Sequence, residues 1–162
     1  MDKPYRLNAG IVVVNSKGQV LLCARADRDT LNWQFPQGGI NKNESPQTAA
    51  LRELYEETGI ISVNLLASIP YTLRYDFPPA IAVHHQYRGQ EQYWFLYAFT
   101  GDDTEINLKI NPNEIEFSNY RWGDIAEAPK TIVEFKKEVY NKVVEYFTPI
   151  IKQHFQGIKN GL

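Results

Sequence analysis

The sequence predicts a mixed α/β (α+β) sandwich in which helices cover a β-sheet. Three observations carry this. Strand-like segments fall before, between and after two helices. The first helix has a sequence signal at both ends. The chain from Thr131 onward places apolar residues at helical spacing. A doubly wound parallel sheet is not expected, because no run of alternating strands and helices exists.

Taken in order, Ala9 to Val14 reads as a buried strand. Asn15-Ser16-Lys17-Gly18 is a turn, and Gln19 to Arg25 returns as the second strand of a hairpin. Asp27 to Asn32 is polar and reads as a loop, with Trp33-Gln34-Phe35 a short extended piece before Pro36. Ser45-Pro46 starts a helix, a hydroxyl at the N-cap and a proline at the first helical position. Gly59 suits the left-handed position that ends it. Ile60 to Tyr75 reads as strands broken near Pro70, and residues 76–92 as a long loop. Tyr93 to Thr100 is an aromatic strand and Tyr120 to Trp122 a short one. From Thr131 onward Val133, Val139, Tyr140, Val143, Phe147, Ile150 and Ile151 predict a long amphipathic C-terminal helix.

The 162 residues suit one domain, 1–162, with its own core. Hydrophobic residues make up 43% and charged residues 22%, ordinary for a globular protein. The single cysteine, Cys23, lies in an apolar run and reads as a buried thiol rather than a nucleophile. The start of the chain lacks the apolar core of a signal peptide, and no apolar run approaches a membrane span. A cytoplasmic protein is therefore expected, with no membrane partner. Oligomeric state is not readable, and a monomer is compatible with everything here. A net charge of −2 gives no electrostatic argument for binding long duplexes. Residues 1–129 carry a net −5 and residues 130–162 a net +3. The basic tail is read as a solvated helix face, the alternative being a surface that helps hold an anionic substrate.

The segment that carries chemistry runs from Gly38 to Ile60. Glu53, Glu56 and Glu57 stand at i, i+3 and i+4, within about 100° of one helix face. Ala50, Leu51 and Leu54 point to a neighbouring face able to pack on a sheet. Three such carboxylates repel one another at neutral pH, and an all-oxygen cluster suits Mg²⁺ or Mn²⁺. Taken alone, the same three glutamates describe a solvated acidic helix surface.

The full spacing decides between these. Gly38, Glu44, Arg52-Glu53-Leu54, Glu56-Glu57 and Gly59-Ile60 fit glycine, five residues, glutamate, seven residues, then arginine-glutamate-aliphatic-x-glutamate-glutamate-x-glycine-aliphatic. Seven fixed residues and two aliphatics coincide by chance on the order of 10⁻¹⁰ times per starting position. The segment resembles the signature box of Nudix hydrolases, here residues 38–60. That resemblance implies an α/β/α sandwich with a central mixed sheet, the box forming a loop–helix–loop. It implies Mg²⁺, with Mn²⁺ as a substitute, held by Glu53, Glu56 and Glu57. It also implies hydrolysis of a phosphoanhydride by water, and a pair, Arg52 and Glu44, that orients the catalytic glutamates. Which group serves as base is left open.

Outside the box further short matches occur. Tyr5-Arg6-x-Asn8 precedes the first strand, and Trp33-Gln34-Phe35-Pro36-Gln37-Gly38-Gly39 leads into the box. Gly89-Gln90 with Gln92-x-Trp94-Phe95, Glu116-Phe117, Arg121-Trp122 and Val133-x-Phe135-Lys136 follow. In this order they resemble bacterial RNA pyrophosphohydrolases and the related dinucleoside polyphosphate hydrolases. By position, Glu116 matches a fourth metal carboxylate. Arg6, Arg25 and Lys136 match residues that contact 5′ phosphates or nucleotides, and Val133 and Phe135 an apolar wall for base stacking. For Phe135, packing in the helix core is the competing reading; Trp33 reads as sheet core and Glu114 as a loop acid. The chain departs from the pattern at Asn41-Lys42-Asn43, where a glycine is usual, and at Arg25-Ala26-Asp27-Arg28, where adjacent basic residues are usual. His84 and His85 are adjacent, poor spacing for shared metal ligation, and read as a polar surface loop. The resemblance implies removal of pyrophosphate from 5′-triphosphate RNA ends, which promotes RNA decay. The alternatives are a diadenosine tetraphosphate hydrolase and, more remotely, an inactive Nudix-like module that binds RNA or nucleotide.

Overall fold

The computed structural model describes residues 3–26 and 32–159, and side chains to residue 156. The expected loop at 27–31 lies outside the described residues. Among the described residues eight strands form one mixed sheet: β1 (Tyr5–Val14), β2 (Val20–Arg25), β3 (Trp33–Gln34), β4 (Gln37–Gly39), β5 (Val63–Ser68), β6 (Leu73–Asp76), β7 (Gly89–Phe99) and β8 (Phe117–Gly123). The helices are α1 (Pro46–Thr58), the one-turn α2 (Pro79–Ala82), α3 (Ala128–Thr131) and the long α4 (Lys137–Lys159). The path through the sheet is β3-β2-β1-β7-β5, with β4 beside β1, β6 beside β7 and β8 beside β2.

The centre of the sheet is a parallel pair, β1 and β7, in register from Tyr5↔Gly89 to Val14↔Ala98. Side chains alternate across a strand, so these two feed both faces. Val12, Val14, Trp94 and Leu96 join one core with Val139, Tyr140, Val143 and Phe147 of α4. Ala9, Ile11, Val13, Phe95, Tyr97 and Phe99 join the other with Ala49, Ala50 and Leu54 of α1. The result is the α/β/α layering expected. Gly10 belongs to this packing, because a Cβ there would stand 2.6 Å from the Trp94 ring.

Two long-range hydrogen bonds fasten the segment leading to the box. Phe35 N–H donates to Tyr140 Oη at 3.0 Å, and Thr131 Oγ1 donates to the Trp33 carbonyl at 2.9 Å. The Phe35 and Tyr140 rings stack with centroids 5.0 Å apart.

The expected elements are present, with shifts; β8 begins at Phe117 rather than Tyr120, and β4 is additional to them. β1 and β7 each begin four residues earlier than expected, at Tyr5 and Gly89. Their early residues include Asn8, Gln90 and Gln92, which are polar yet buried. The expected loop 76–92 also contains α2. The C-terminal helix starts at Lys137 rather than Thr131. Between α3 and α4 the backbone is extended at Ile132 and Val133, as β-branched residues favour, before a 3₁₀ turn at Glu134–Lys136. Among the described residues no helix is long and apolar enough to cross a membrane.

Candidate active site

Helix α1 sets the site. Ser45 Oγ accepts from Thr48 N–H at 3.1 Å, Pro46 opens the helix, and Gly59 closes it at φ 75°. Ala49, Ala50 and Leu54 face the sheet, so the helix cannot roll and its glutamates are fixed in azimuth. Asn43 holds φ 67°, the left-handed conformation in which a glycine is usual and which asparagine tolerates. The departure from the usual glycine therefore leaves the backbone path intact.

Arg52 is the hub. Its Nε and Nη2 donate to the two Glu44 oxygens at 2.8 and 3.0 Å, a planar two-point fork. Nη2 also donates to the Gly39 carbonyl at 2.8 Å. Nη1 reaches Glu53 at 2.9 Å and Glu56 at 3.1 Å. The guanidinium holds the Glu44 carboxyl down at about 2, through these hydrogen bonds first.

A cavity of about 240 Å³ is lined by Glu53, Glu56, Glu57, Glu116, Arg6 and Gln37. Glu114 and Asn111 also reach it, so the acid read as a plain loop residue belongs to its rim. Glu57 is buried, and its Oε2 has no hydrogen-bond partner. Burial, then the charges of Glu53 and Glu116, push the Glu57 carboxyl well above the ordinary glutamate value. Burial raises Glu53 as well, against the pull of Arg52. Two acids that resist ionisation in one cavity mark a deficit of positive charge. Among the described residues no closed set of three Asp, Glu, His or Cys side chains is assembled as metal ligands, and Arg52 holds one oxygen each of Glu53 and Glu56. Gly38 and Gly39 are both needed here. A Cβ on Gly38 would overlap the Glu53 carboxyl group, and one on Gly39 the Arg6 guanidinium.

A second cavity, about 370 Å³, opens from the first and shares Arg6, Gln37 and Glu116 with it. Arg25, Lys136, Val133 and Phe135 line it, so every residue expected to meet substrate converges on one hollow. Phe135 packs against the core and also faces the cavity. Its ring lies 5.6 Å from Tyr75 and 6.4 Å from Phe77. The far wall is Phe77, Ile81 and His85, with Phe77 and His85 4.7 Å apart. His85 is thus part of a wall and only His84 is exposed; no sequence pattern marked this, because α2 reaches the cavity through the tertiary fold alone. Tyr75 Oη and Gln90 Oε1 are buried on the floor with no partner. Trp33 packs against the core with Arg121 over its ring at 5.0 Å, as sheet core rather than cavity wall. Cys23 is fully buried and its thiol is pushed up by burial, as expected of an inert cysteine. In the basic tail Lys137 and Lys142 pair with Glu134 and Glu138 on the surface, and Lys136 faces the cavity.

A three-layer sandwich carrying this glutamate box agrees with the family comparison: the NUDIX domain model matches residues 4–143. The chain belongs to the Nudix family. It is 45% identical over 161 residues to the RNA pyrophosphohydrolase of Bartonella bacilliformis, covering 91% of this chain and 94% of that one. It is 44% identical over 156 residues to the RNA pyrophosphohydrolase of Erythrobacter litoralis, covering 93% and 94%. Among solved structures, the E. coli dihydroneopterin triphosphate pyrophosphohydrolase shares the fold with a TM-score of 0.66 at 21% identity, over 89% of this chain and 99% of that one. A C. elegans Ap4A hydrolase binary complex shares it at 0.60 and 19%, over 88% and 98%.

Proposed function

We propose that the chain, acting as one catalytic domain over residues 1–162, is a Mg²⁺-dependent RNA 5′ pyrophosphohydrolase that converts a 5′-triphosphate end into a 5′-monophosphate. The observation that carries this is the junction of the two cavities. A polyphosphate lying across Arg6, Gln37 and Glu116 reaches the carboxylates at one end and puts its nucleotide among aromatic rings at the other. The relatives named RNA pyrophosphohydrolase support the same substrate.

The residues fit a hard divalent cation. The donors are all carboxylates, Glu57 Oε2 is buried without a partner, and the raised Glu53 and Glu57 both gain from a nearby positive charge. Glu53, Glu56, Glu57 and Glu116 would hold it, Glu56 exchanging Arg52 for the ion. Bound there, such an ion offsets polyphosphate charge and makes water a better nucleophile. Arg52 and Glu44 keep the glutamates in place. Arg6, Arg25 and Lys136 meet the phosphates, and Phe135 with Val133 stacks the base, a sequence-tolerant contact. A carboxylate in the first cavity accepts the proton of the attacking water.

The test is a substrate panel with purified protein. Triphosphorylated RNA, diadenosine tetraphosphate and nucleoside triphosphates are each incubated with and without Mg²⁺. We expect Mg²⁺-dependent monophosphate RNA ends and a higher kcat/KM for RNA than for the dinucleotide. The reverse order would move the assignment to dinucleoside polyphosphate hydrolysis, and inertness toward all of them to a binding module.

A further inference from the structure

A chain of three buried or half-buried amides runs under the junction of the cavities. Gln92 Nε2 donates to Asn8 Oδ1 at 3.0 Å, across the parallel pair β1–β7. Asn8 Nδ2 donates to Gln37 Oε1 at 2.5 Å. Asn8 is fully buried and Gln92 nearly so, and neither lines either of these two cavities. Gln37 lines both. Its backbone N–H in addition favours the charged form of Glu57.

We propose that Asn8 and Gln92 are positioning residues that orient the Gln37 side chain as a hydrogen-bond donor to the substrate's polyphosphate. The inference rests on the assignment of that junction to a polyphosphate. An amide has one accepting and one donating end. With Oε1 held by Asn8, Gln37 offers the Nε2 hydrogens to the junction. The opposite orientation would present an oxygen to an anionic substrate in a cavity already ringed by carboxylates. Asn8 selects between the two, because its donor faces Gln37 only while its acceptor is engaged by Gln92. Gln92 Oε1 is left buried and unpartnered, so the order of the relay leaves one acceptor at its far end unsatisfied.

The experiment is a double-mutant cycle with the full chain, because residues acting through one another fail to add. Gln37→Met keeps length and removes the donor; Gln92→Met removes the donor that sets Asn8. Two readouts are taken: kcat/KM on triphosphorylated RNA, and calorimetric affinity for inorganic tripolyphosphate with Mg²⁺. We expect Gln37→Met to lower both about thirtyfold and Gln92→Met about fivefold. The double variant should lie within about twofold of Gln37→Met alone. If the two losses multiply, or if a folded Gln92→Met matches the parent, the relay is wrong. If Gln92→Met melts below assay temperature, Asn8→Ser, which shortens the middle link, replaces it in the same cycle. A parent that binds tripolyphosphate but leaves RNA untouched overturns the RNA assignment instead, and the affinity cycle then decides the relay by itself.

Discussion

Gly38 and Glu53 share one small volume: the Glu53 carboxyl group rests where a Cβ on residue 38 would have to stand. The first glycine of the box is therefore a contact requirement. Gly38→Ala should fold, because the Glu53 side chain can swing aside. The displaced carboxylate should lower kcat about a hundredfold, the cost of roughly an ångström of misplacement at a reacting centre. Single-turnover kinetics together with a circular dichroism melt check this. Full activity would show that the overlap relaxes harmlessly.

Arg52 holds Glu44 and the Gly39 carbonyl through a planar fork and reaches Glu53 and Glu56 with its remaining nitrogen. A lysine carries the charge without the fork. Arg52→Lys should lower kcat about tenfold or more while KM for triphosphorylated RNA moves little. A change confined to KM would place Arg52 on the substrate instead.

The raised Glu57 carboxyl makes the metal-free fold sensitive to pH. Its first cause is burial, followed by the charges of Glu53 and Glu116. Because the folded chain holds this proton more tightly than the unfolded chain, the folded state binds more protons. Stability is then present at low pH and falls as pH rises from the ordinary value of 4.5 through the raised one. Glu44 acts oppositely: its contribution is present above 4.5 and is lost as pH falls toward about 2. In chelator, Tm should therefore drop as pH rises above 4.5, and Mg²⁺ should restore more at the higher pH. Glu57→Gln should abolish turnover and flatten that drop. Differential scanning fluorimetry across pH reads all three, and a Tm independent of pH and Mg²⁺ would contradict the account.

Phe135 faces the hollow where a base would lie, with Tyr75 and Phe77 behind it. Phe135→Ala removes a stacking surface worth about 1–3 kcal/mol per base. KM for triphosphorylated RNA should rise at least about fivefold with kcat within about threefold. Steady-state kinetics that find the loss in kcat would assign Phe135 to a different role.

Tyr140 tests the scaffold. Its hydroxyl accepts the Phe35 N–H inside the core. Tyr140→Phe leaves that donor buried and unpaired, a loss of about 1–3 kcal/mol. Tm should fall by roughly 2–10 °C. An unchanged melt would mean that another acceptor takes the proton.

Much of this was legible from local signals. Ser45, Pro46 and Gly59 announce α1 because caps act within one turn, and the spacing of Glu53, Glu56 and Glu57 follows from helical geometry alone. Hydrophobic patterning locates β1, β2 and β7 but misses the early ends of β1 and β7, because Asn8, Gln90 and Gln92 look like loop residues and are buried through hydrogen bonds or against a cavity. The wall made by Phe77, Ile81 and His85 was not legible, since nothing in a one-turn helix reports which distant strand it will face. The start of α4 was read early because Val133 continues the apolar period, while the extended backbone at Ile132 and Val133 turns it toward the cavity.

The parallel ladder between β1 and β7 joins residues about 84 positions apart, as Asn8 and Gln92 are. Such pairing requires a large loop to close before contacts reward it, which slows acquisition of the native state. During synthesis one edge of β1 can already pair with β2 and β4, but its other edge stays unpaired until β7 has left the ribosome. Growth of the nascent chain, rather than formation of α1, then sets the earliest moment at which the floor beneath the glutamates is complete, because Phe95, Tyr97 and Phe99 of β7 belong to it.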